Sequence, residues 1–342
     1  MQNLLPKINL SICIPTYNFG AFIGETLESV ISQATDAVEI VVVDGASTDN
    51  TQEVVRSFQL NFSRLHYIRL EKKGGIDQDM ARAVEYAQGT YCWLFGADDI
   101  MAKDAIKLIL QEIKSGHDLY LSETTLCRFD LAPIKRYRNL KLSSERTFNL
   151  SNTKERHEYF QLALNTQPFF SFCGALIFKR EKWIKHPADD AFMGSCWAHA
   201  ARFFAMLADG LLIKHLPIPL SLKRCDNDSF SDKGIVNRYR ISIEGYNKIA
   251  DTFFGHSSTE AFHMRRVLKQ EMPIWRLLNM KSETQKHGNQ DMSLLNKLVA
   301  MQYADPLLQN RIGLLVYQWM PLLLFDFIYK MARRIKRFLN AR

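Results

Sequence analysis

The sequence predicts an α/β fold: a mostly parallel sheet flanked by helices, with a helical C-terminal extension. Short, almost wholly apolar runs alternate with helix-period segments through the first hundred residues, and strands buried on both faces read this way. Helix start and stop residues sit between the runs. From Gly234 onward apolar residues recur three and four apart, without strand-like runs. The result is a Rossmann-like sheet, whose ligands bind beyond the carboxyl ends of the strands.

"LSICIP" (residues 10–15) is closed by proline and reads as the first buried strand. Phe22, Ile23, Thr26, Leu27, Val30 and Ile31 then share one helical face. "VEIVVV" (38–43) is the second strand, and "STDNTQEVVRSF" opens a helix with Ser47 or Asp49 as N-cap. "LHYIRL" (65–70) is the third strand, and "DQDMARAVEYAQG" is a helix ended by Gly89. "TYCWLF" (90–95) is the fourth. "TYN" (16–18), "DGASTD" (44–49) and "GADD" (96–99) therefore meet on one rim.

The 342 residues are 47% hydrophobic, which excludes a disordered chain. Forty-four basic residues against 36 acidic ones give a net charge of +8, which suits an anionic partner. Six cysteines occur without a C-x-x-C pair, so reduced core thiols are expected and a zinc site is not. "MQNLLPKINL" lacks the basic-then-apolar order of a secretory signal.

On the rim, Asp44 is followed by Gly45, so a ligand can approach the backbone beside a carboxylate. Tyr17 offers a flat face to a base. Gly74 and Gly75 open a further stretch of backbone. Each of these also reads as ordinary turn or packing chemistry. There is neither a G-x-G-x-x-G fingerprint nor a phosphate-binding P-loop motif. Asp98 and Asp99 repel each other and raise one another's pKa if buried. Capping the helix that starts near Lys103 is one use for the pair. Holding Mg²⁺ or Mn²⁺, which takes oxygen ligands from carboxylates, phosphates and water, is the other; the strand-end position beside Asp44 favours it.

"ICIPTYN", "IVVVDGASTDNT" and "GGIDQDMARAVEYAQGTYCWLFGADD" together resemble the successive motifs of family 2 glycosyltransferases, over roughly residues 8 to 110. The resemblance implies the A-type nucleotide-sugar-binding fold. Pro15, Tyr17 and Asn18 match the nucleotide-contacting turn. Asp44 matches the carboxylate that reads a pyrimidine or its ribose, and Gly75 lies in the matched Gly-Gly stretch. Asp98 and Asp99 match the end of the D-x-D-D signature, which binds ribose and metal, with Gly96 in place of its first aspartate. The absence of Q-x-x-R-W separates the chain from processive synthases. Within the family the motifs are most similar to bacterial O-antigen abequosyltransferases. That narrower likeness implies a CDP-linked 3,6-dideoxyhexose as donor and a lipid-linked oligosaccharide as acceptor.

Residues 126–150 carry six basic residues and read as a hairpin, an acceptor loop or a solvated excursion. "FFSFCGALIFKREKW" is a strand leading into a short helix. The family's acceptor-activating base falls after it. Asp190, with its neighbour Asp189, and His199, beside Trp197, are the candidates. "LKRCDNDSFSDK" (222–233) is either a loop closing on the diphosphate, with Lys223 and Arg224 offering charge, or a plain linker. Residues 312–332 approach the length of a bilayer span, but Pro321 and Asp326 interrupt them. Arg333, Arg334, Lys336, Arg337 and Arg342 follow, the pattern of a helix lying on an anionic membrane.

The expected organisation is a nucleotide-sugar-binding domain (1–230), a helical region (231–305) and a membrane-associated helix (306–342). The expected protein is a metal-dependent, non-processive hexosyltransferase, peripheral on the cytoplasmic face of a bacterial cell membrane, with no nucleic-acid partner. Two alternatives stay open: a degenerate protein that only binds nucleotide-sugar, and a sugar-phosphate nucleotidyltransferase.

Overall fold

The computed structural model describes residues 7–227, 230, 234–287 and 291–340. The chain divides into two compact units, Met1–Asn227 and Asp228–Arg342. The first holds the sheet. Strands β1 (Leu10–Thr16), β2 (Val38–Asp44), β3 (Leu65–Arg69) and β4 (Tyr91–Leu94) alternate with helices α1 (Ile23–Ile31), α2 (Thr51–Gln59) and α3 (Ile76–Tyr86). After β5 (Ile100–Met101) and α4 (Ala105–Glu112) come β6 (Leu119–Cys127), β7 (Pro133–Tyr137), β8 (Arg146–Asn149) and α5 (Thr153–Leu162). The unit closes with β9 (Leu176–Lys179), α6 (Arg180–Lys185), α7 (Ala198–Ala205) and β10 (Leu212–Arg224).

The strand order is β3-β2-β1-β4-β9-β6-β10-β5, with β7 paired to β6 and β8 to β10. β3, β2, β1 and β4 are parallel, and so are β6 and β10. β9 runs antiparallel to both β4 and β6. The sheet is therefore mixed in its second half. The register pairs Thr16 with Asp44 and Cys13 with Leu94, so β1, β2 and β4 end on one rim.

β1 and β2 are buried at every position, as their near-continuous apolar runs require. β2 carries two charged residues, Glu39 and Asp44. Glu39 accepts hydrogen bonds from Ser11 Oγ (2.6 Å) and from the backbone amides of Gln88 (2.5 Å) and Gly89 (3.2 Å). This ties the foot of the sheet to the turn before β4. Gly89 does not cap α3, which ends at Tyr86 with Ala87 extended. Its glycine is required by space: a Cβ there would lie 2.8 Å from the Ser11 amide nitrogen. Asp49 is not the N-cap of α2 either. Asn50 holds that place, while Asp49 Oδ1 accepts from the Thr51 amide at 3.0 Å.

The basic segment 126–150 supplies β7 and β8. β10 reaches further than "LLIKHLPIPL" suggests, because the pairing with β6 shifts register around Pro217 and Pro219 and resumes from Ser221 to Arg224. The bulges let two prolines sit in a strand without breaking the ladder. Trp93 is fully buried on β4 and donates its indole N–H to the Gly174 carbonyl at 3.0 Å.

The second unit is helical: α8 (Gly234–Phe254), α9 (Thr259–Glu271), α10 (Ile274–His287), α11 (Met292–Gln302), α12 (Leu308–Trp319) and α13 (Leu322–Asn340). Among the described residues no single helix is long and apolar enough to cross a membrane. α12 and the apolar start of α13 pass that test only as a pair, bent by 109° where Pro321 interrupts the run. Asp326 turns inward, accepting from Ser282 Oγ at 2.7 Å and pairing with Lys286.

Replacing Trp93 by Ala removes the largest buried side chain of β4 and orphans the Gly174 carbonyl. Equilibrium urea unfolding should show a loss of about 3–5 kcal/mol.

Candidate active site

The turns after β1 and β2 are knitted together. Asn18 adopts a left-handed conformation (φ 58°); its amide donates to Ser47 Oγ (2.8 Å) and its Oδ1 accepts from the Thr48 amide (2.8 Å). The Gly20 amide donates to Asp49 Oδ2 at 2.9 Å. Pro15 is buried inside β1, one residue before this turn. Asp44 is completely buried. Its Oδ1 accepts from the Ser47 amide (2.7 Å) and its Oδ2 from the Tyr67 hydroxyl (2.5 Å). Tyr17 is half-buried, and the Lys73 ammonium lies 3.7 Å from its ring centre, so its open face carries a cation. Gly75, with φ +88°, is the N-cap of α3; its conformation demands glycine.

Past β4 the chain turns at Gly96 and brings Asp98 and Asp99 back over it. A Cβ on Gly96 would lie 2.7 Å from Asp99 Oδ2 and 3.3 Å from Asp98 Oδ1. The two carboxylates thus converge on the volume that an aspartate at this position would fill. Asp99 is buried, and its Oδ1 accepts from the Arg224 amide at 3.0 Å. Asp98 Oδ2 accepts from Asn227 Nδ2 at 2.8 Å. Burial first, and the Asp98 charge second, push the Asp99 carboxyl up to about 7. Burial raises Asp98 as well, against hydrogen bonding and the charges of Arg224 and Lys223.

Among the described residues, no group of three or more His, Cys, Asp and Glu side chains is placed to hold a metal. The carboxylates that could hold a cation at this strand end are Asp98 and Asp99, a pair suited to a hard divalent ion that completes its shell with phosphate and water.

Arg224 ends β10 and is not a loop residue. Its guanidinium donates to the backbone carbonyls of Asp98 and Phe129 and pairs with Glu25. It braces the acidic turn instead of offering itself to a diphosphate. Lys223 lies 4.4 Å from the centre of the Phe172 ring. Residues 228, 229 and 231–233 of the expected closing loop lie outside the described residues.

Two further carboxylates were not singled out from the sequence. Asp77 and Asp79 occupy the first turn of α3, and both are buried. Asp77 accepts from the amides of Cys196 (2.9 Å) and Ala198 (3.2 Å), holding the start of α7. Asp79 accepts no hydrogen bond among the described residues, and its Oδ1 is inaccessible to solvent. Burial first pushes its carboxyl up to about 6, with Asp44 adding to the shift and Arg82 and Lys73 opposing it. In the sequence both look like ordinary acids favouring a helix start. The adjacent Gly-Gly stretch at a strand end was the available signal.

His199 is buried on α7. Its Nε2 lies 3.0 Å from the Phe170 carbonyl and so carries the hydrogen, which leaves Nδ1 closed to solvent and without a partner among the described residues. Burial lowers its pKa, with Asp77 opposing. Trp197 stacks beside it, with ring centres 6.2 Å apart. Asp189 caps a short 3₁₀ turn by accepting from the Ala191 amide (2.8 Å), and Asp190 is exposed within that turn.

Comparison with known proteins decides the family. The profile described as "Glycosyl transferase family 2" matches residues 11–182. The abequosyltransferase RfbV of Salmonella typhimurium is 30% identical over 269 residues, 77% of this chain and 81% of that protein. The chain belongs to glycosyl transferase family 2. The transferase also matches the putative teichuronic acid biosynthesis glycosyltransferase TuaG of Bacillus subtilis, at 32% identity over 32% of this chain and 43% of that protein. Among solved structures it is similar in fold to S. aureus TarS 1–349 in complex with UDP-GlcNAc (TM-score 0.58, 18% identity, 87% of this chain and 83% of that one). It is likewise similar to the mannosyltransferase PcManGT from Pyrobaculum calidifontis in complex with GDP-Man and Mn²⁺ (TM-score 0.54, 16% identity, 98% and 88%). The transferase therefore has the A-type fold that its motifs resemble.

Two measurements check this site. Asp77→Ala strips the acceptor from two amides at the start of α7 and should cost about 1–3 kcal/mol in urea unfolding. Asp79 has a folded pKa of about 6, above an unfolded value of about 3.9. The folded state is therefore penalised above about pH 6, and the penalty fades as pH falls towards 4. Asp79→Asn should be more stable than the wild type by about 1–3 kcal/mol at pH 7.5, with the gap closing by pH 4.

Proposed function

We propose that this transferase moves a hexosyl group, abequose or a related 3,6-dideoxyhexose, from a CDP-sugar to a lipid-linked oligosaccharide in O-antigen assembly. The reaction is metal-dependent and non-processive, at the cytoplasmic face of the membrane. The observation that carries the reading is the Asp98–Asp99 pair folded over Gly96 at the end of β4. Two mutually repelling carboxylates at a strand end, one buried and one half-buried, are stabilised by a cation between them and a diphosphate. The likeness to RfbV over most of both chains supports the narrower substrate class.

The donor nucleotide lies across the rim, its pyrophosphate at Asp98 and Asp99 and its nucleoside towards Asn18, Asp44 and Gly75. Asp98 and Asp99 would hold Mg²⁺ or Mn²⁺, which would supply a Lewis acid for charge on the departing phosphate. Arg224 and Asn227 fix the two carboxylates, so their free oxygens need no reorganisation when the donor arrives. The base that takes the acceptor hydroxyl's proton is His199, through its bare Nδ1, or Asp190, through its exposed carboxylate.

The acceptor's lipid explains the second unit. Leu308, Ile312, Leu315 and Trp319 recur along one exposed face of α12, with Trp319 78% exposed. α13 continues with exposed Leu323, Phe327 and Ile328. Such a face, followed by basic residues, suits the interface of an anionic bilayer. Arg334 is exposed. Arg342 and the side chains of Arg333, Lys336 and Arg337 lie outside the described residues.

Transfer from CDP-abequose should require Mg²⁺ or Mn²⁺ and fall at least 100-fold in Asp98→Ala and in Asp99→Ala. Full turnover by the double variant would refute the assignment, and nucleotide binding without turnover of any donor would favour the degenerate alternative. Co-sedimentation with phosphatidylglycerol vesicles should weaken at least about 100-fold in Trp319→Ser/Leu323→Ser, since each residue loses roughly 1.5–3 kcal/mol of apolar burial in the interface. Unchanged sedimentation would remove the membrane role of this face.

A further inference from the structure

Asp79 is a buried carboxylate with no assigned work. Asp77, two residues earlier in the same turn, spends both oxygens on the amides of α7. Asp79 accepts nothing from the described residues, although it is only 4% exposed. Buried acceptors are nearly always paired, and one left bare costs the full desolvation of the group. A residue kept in that state marks a place where a partner arrives from outside.

The neighbours show from which side. Gly45 and Gly74 flank the carboxylate. A Cβ on Gly45 would lie 2.7 Å from Asp79 Oδ2, and one on Gly74 would lie 3.0 Å from Oδ1. The Asp79 carboxylate therefore abuts bare backbone at the carboxyl end of β2, next to Asp44. Asp44 has already given one hydrogen bond site on each oxygen to Ser47 and Tyr67. Between β2 and β4 lies only β1, so the two strand ends are about 10 Å apart. A nucleotide with its diphosphate at Asp98 and Asp99 brings its nucleoside to Gly45.

We propose that Asp79 is a donor-recognition residue that accepts a hydrogen bond from an N–H or O–H of the nucleoside across the side-chain-free face of Gly45. The inference rests on the nucleotide-sugar reading above. It assigns to α3 a specificity contact that the strand-end motifs do not contain. Lys73 and Arg82 supply the positive charge that keeps the carboxylate ionised for this purpose.

Calorimetric titration of the full chain with Mn²⁺ present tests it. CDP should bind Asp79→Asn and Asp79→Ala about 10–100-fold more weakly than wild type, while inorganic pyrophosphate binds all three alike. Ribose 5-diphosphate, which lacks the base, separates the two donors. If the loss vanishes with this probe, the base supplies the hydrogen; if it persists, the ribose does. Thermal unfolding should show Asp79→Asn at or above the wild-type midpoint at pH 7.5, so weaker binding cannot be loss of fold. CDP affinity within twofold of wild type in both variants would overturn the role of Asp79 alone. Wild-type protein that binds pyrophosphate but no nucleoside diphosphate would overturn the nucleotide-sugar reading together with it.

Discussion

Two carboxyl groups are held side by side at the end of β4, Asp99 buried and Asp98 half-buried, and the geometry of the rim answers to their repulsion. Asp98 and Asp99 share one small volume over Gly96. Burial raises both pKa values, and the Asp98 charge adds to the rise of Asp99. Among the described residues neither carboxylate forms an ion pair with a Lys or Arg side chain. Arg224 is close, but it meets Asp99 with a backbone amide and the Asp98 main chain with its guanidinium. The protein fixes the position of the carboxylates, and on the proposed reading a cation meets their charge. An electrostatic site of this kind is ready before its ligand binds, which is where such sites gain their catalytic effect.

Gly96 shows how a departure from a family pattern can be compensated locally. An aspartate side chain there would collide with the Asp99 carboxylate as it now lies. Without that side chain, the Asp99 carboxylate lies over the turn, its Oδ2 2.7 Å from where a Cβ on residue 96 would stand. The other half of the rim follows a different plan. Asp44 is satisfied internally, Tyr17 faces Lys73, and Asp79 is the bare acceptor.

The first half of the fold was legible because strands buried on both faces need near-continuous apolar runs, and "LSICIP", "VEIVVV" and "TYCWLF" supply them. Strand direction leaves no such mark. The antiparallel insertion of β9 between β4 and β6 could not be read from "GALIFK". Pro217 and Pro219 hid the end of β10, because bulges absorb the missing donors and the ladder resumes beyond them. The glycine and carboxylate positions of the rim were readable, since chemistry at strand ends concentrates in loops. Asp77 and Asp79 escaped because acids in a first helical turn carry no signal of burial. Only the fold shows that α3 turns that face inwards.

The central claim is that the paired carboxylates hold a cation against the donor's pyrophosphate. Anomalous diffraction from a crystal grown with Mn²⁺ and CDP tests it most directly. The account predicts a manganese peak about 2.1 Å from carboxylate oxygens of Asp98 or Asp99 and bridging to the pyrophosphate. A pyrophosphate bound at this rim with no manganese beside either aspartate, or bound elsewhere on the protein, would contradict it.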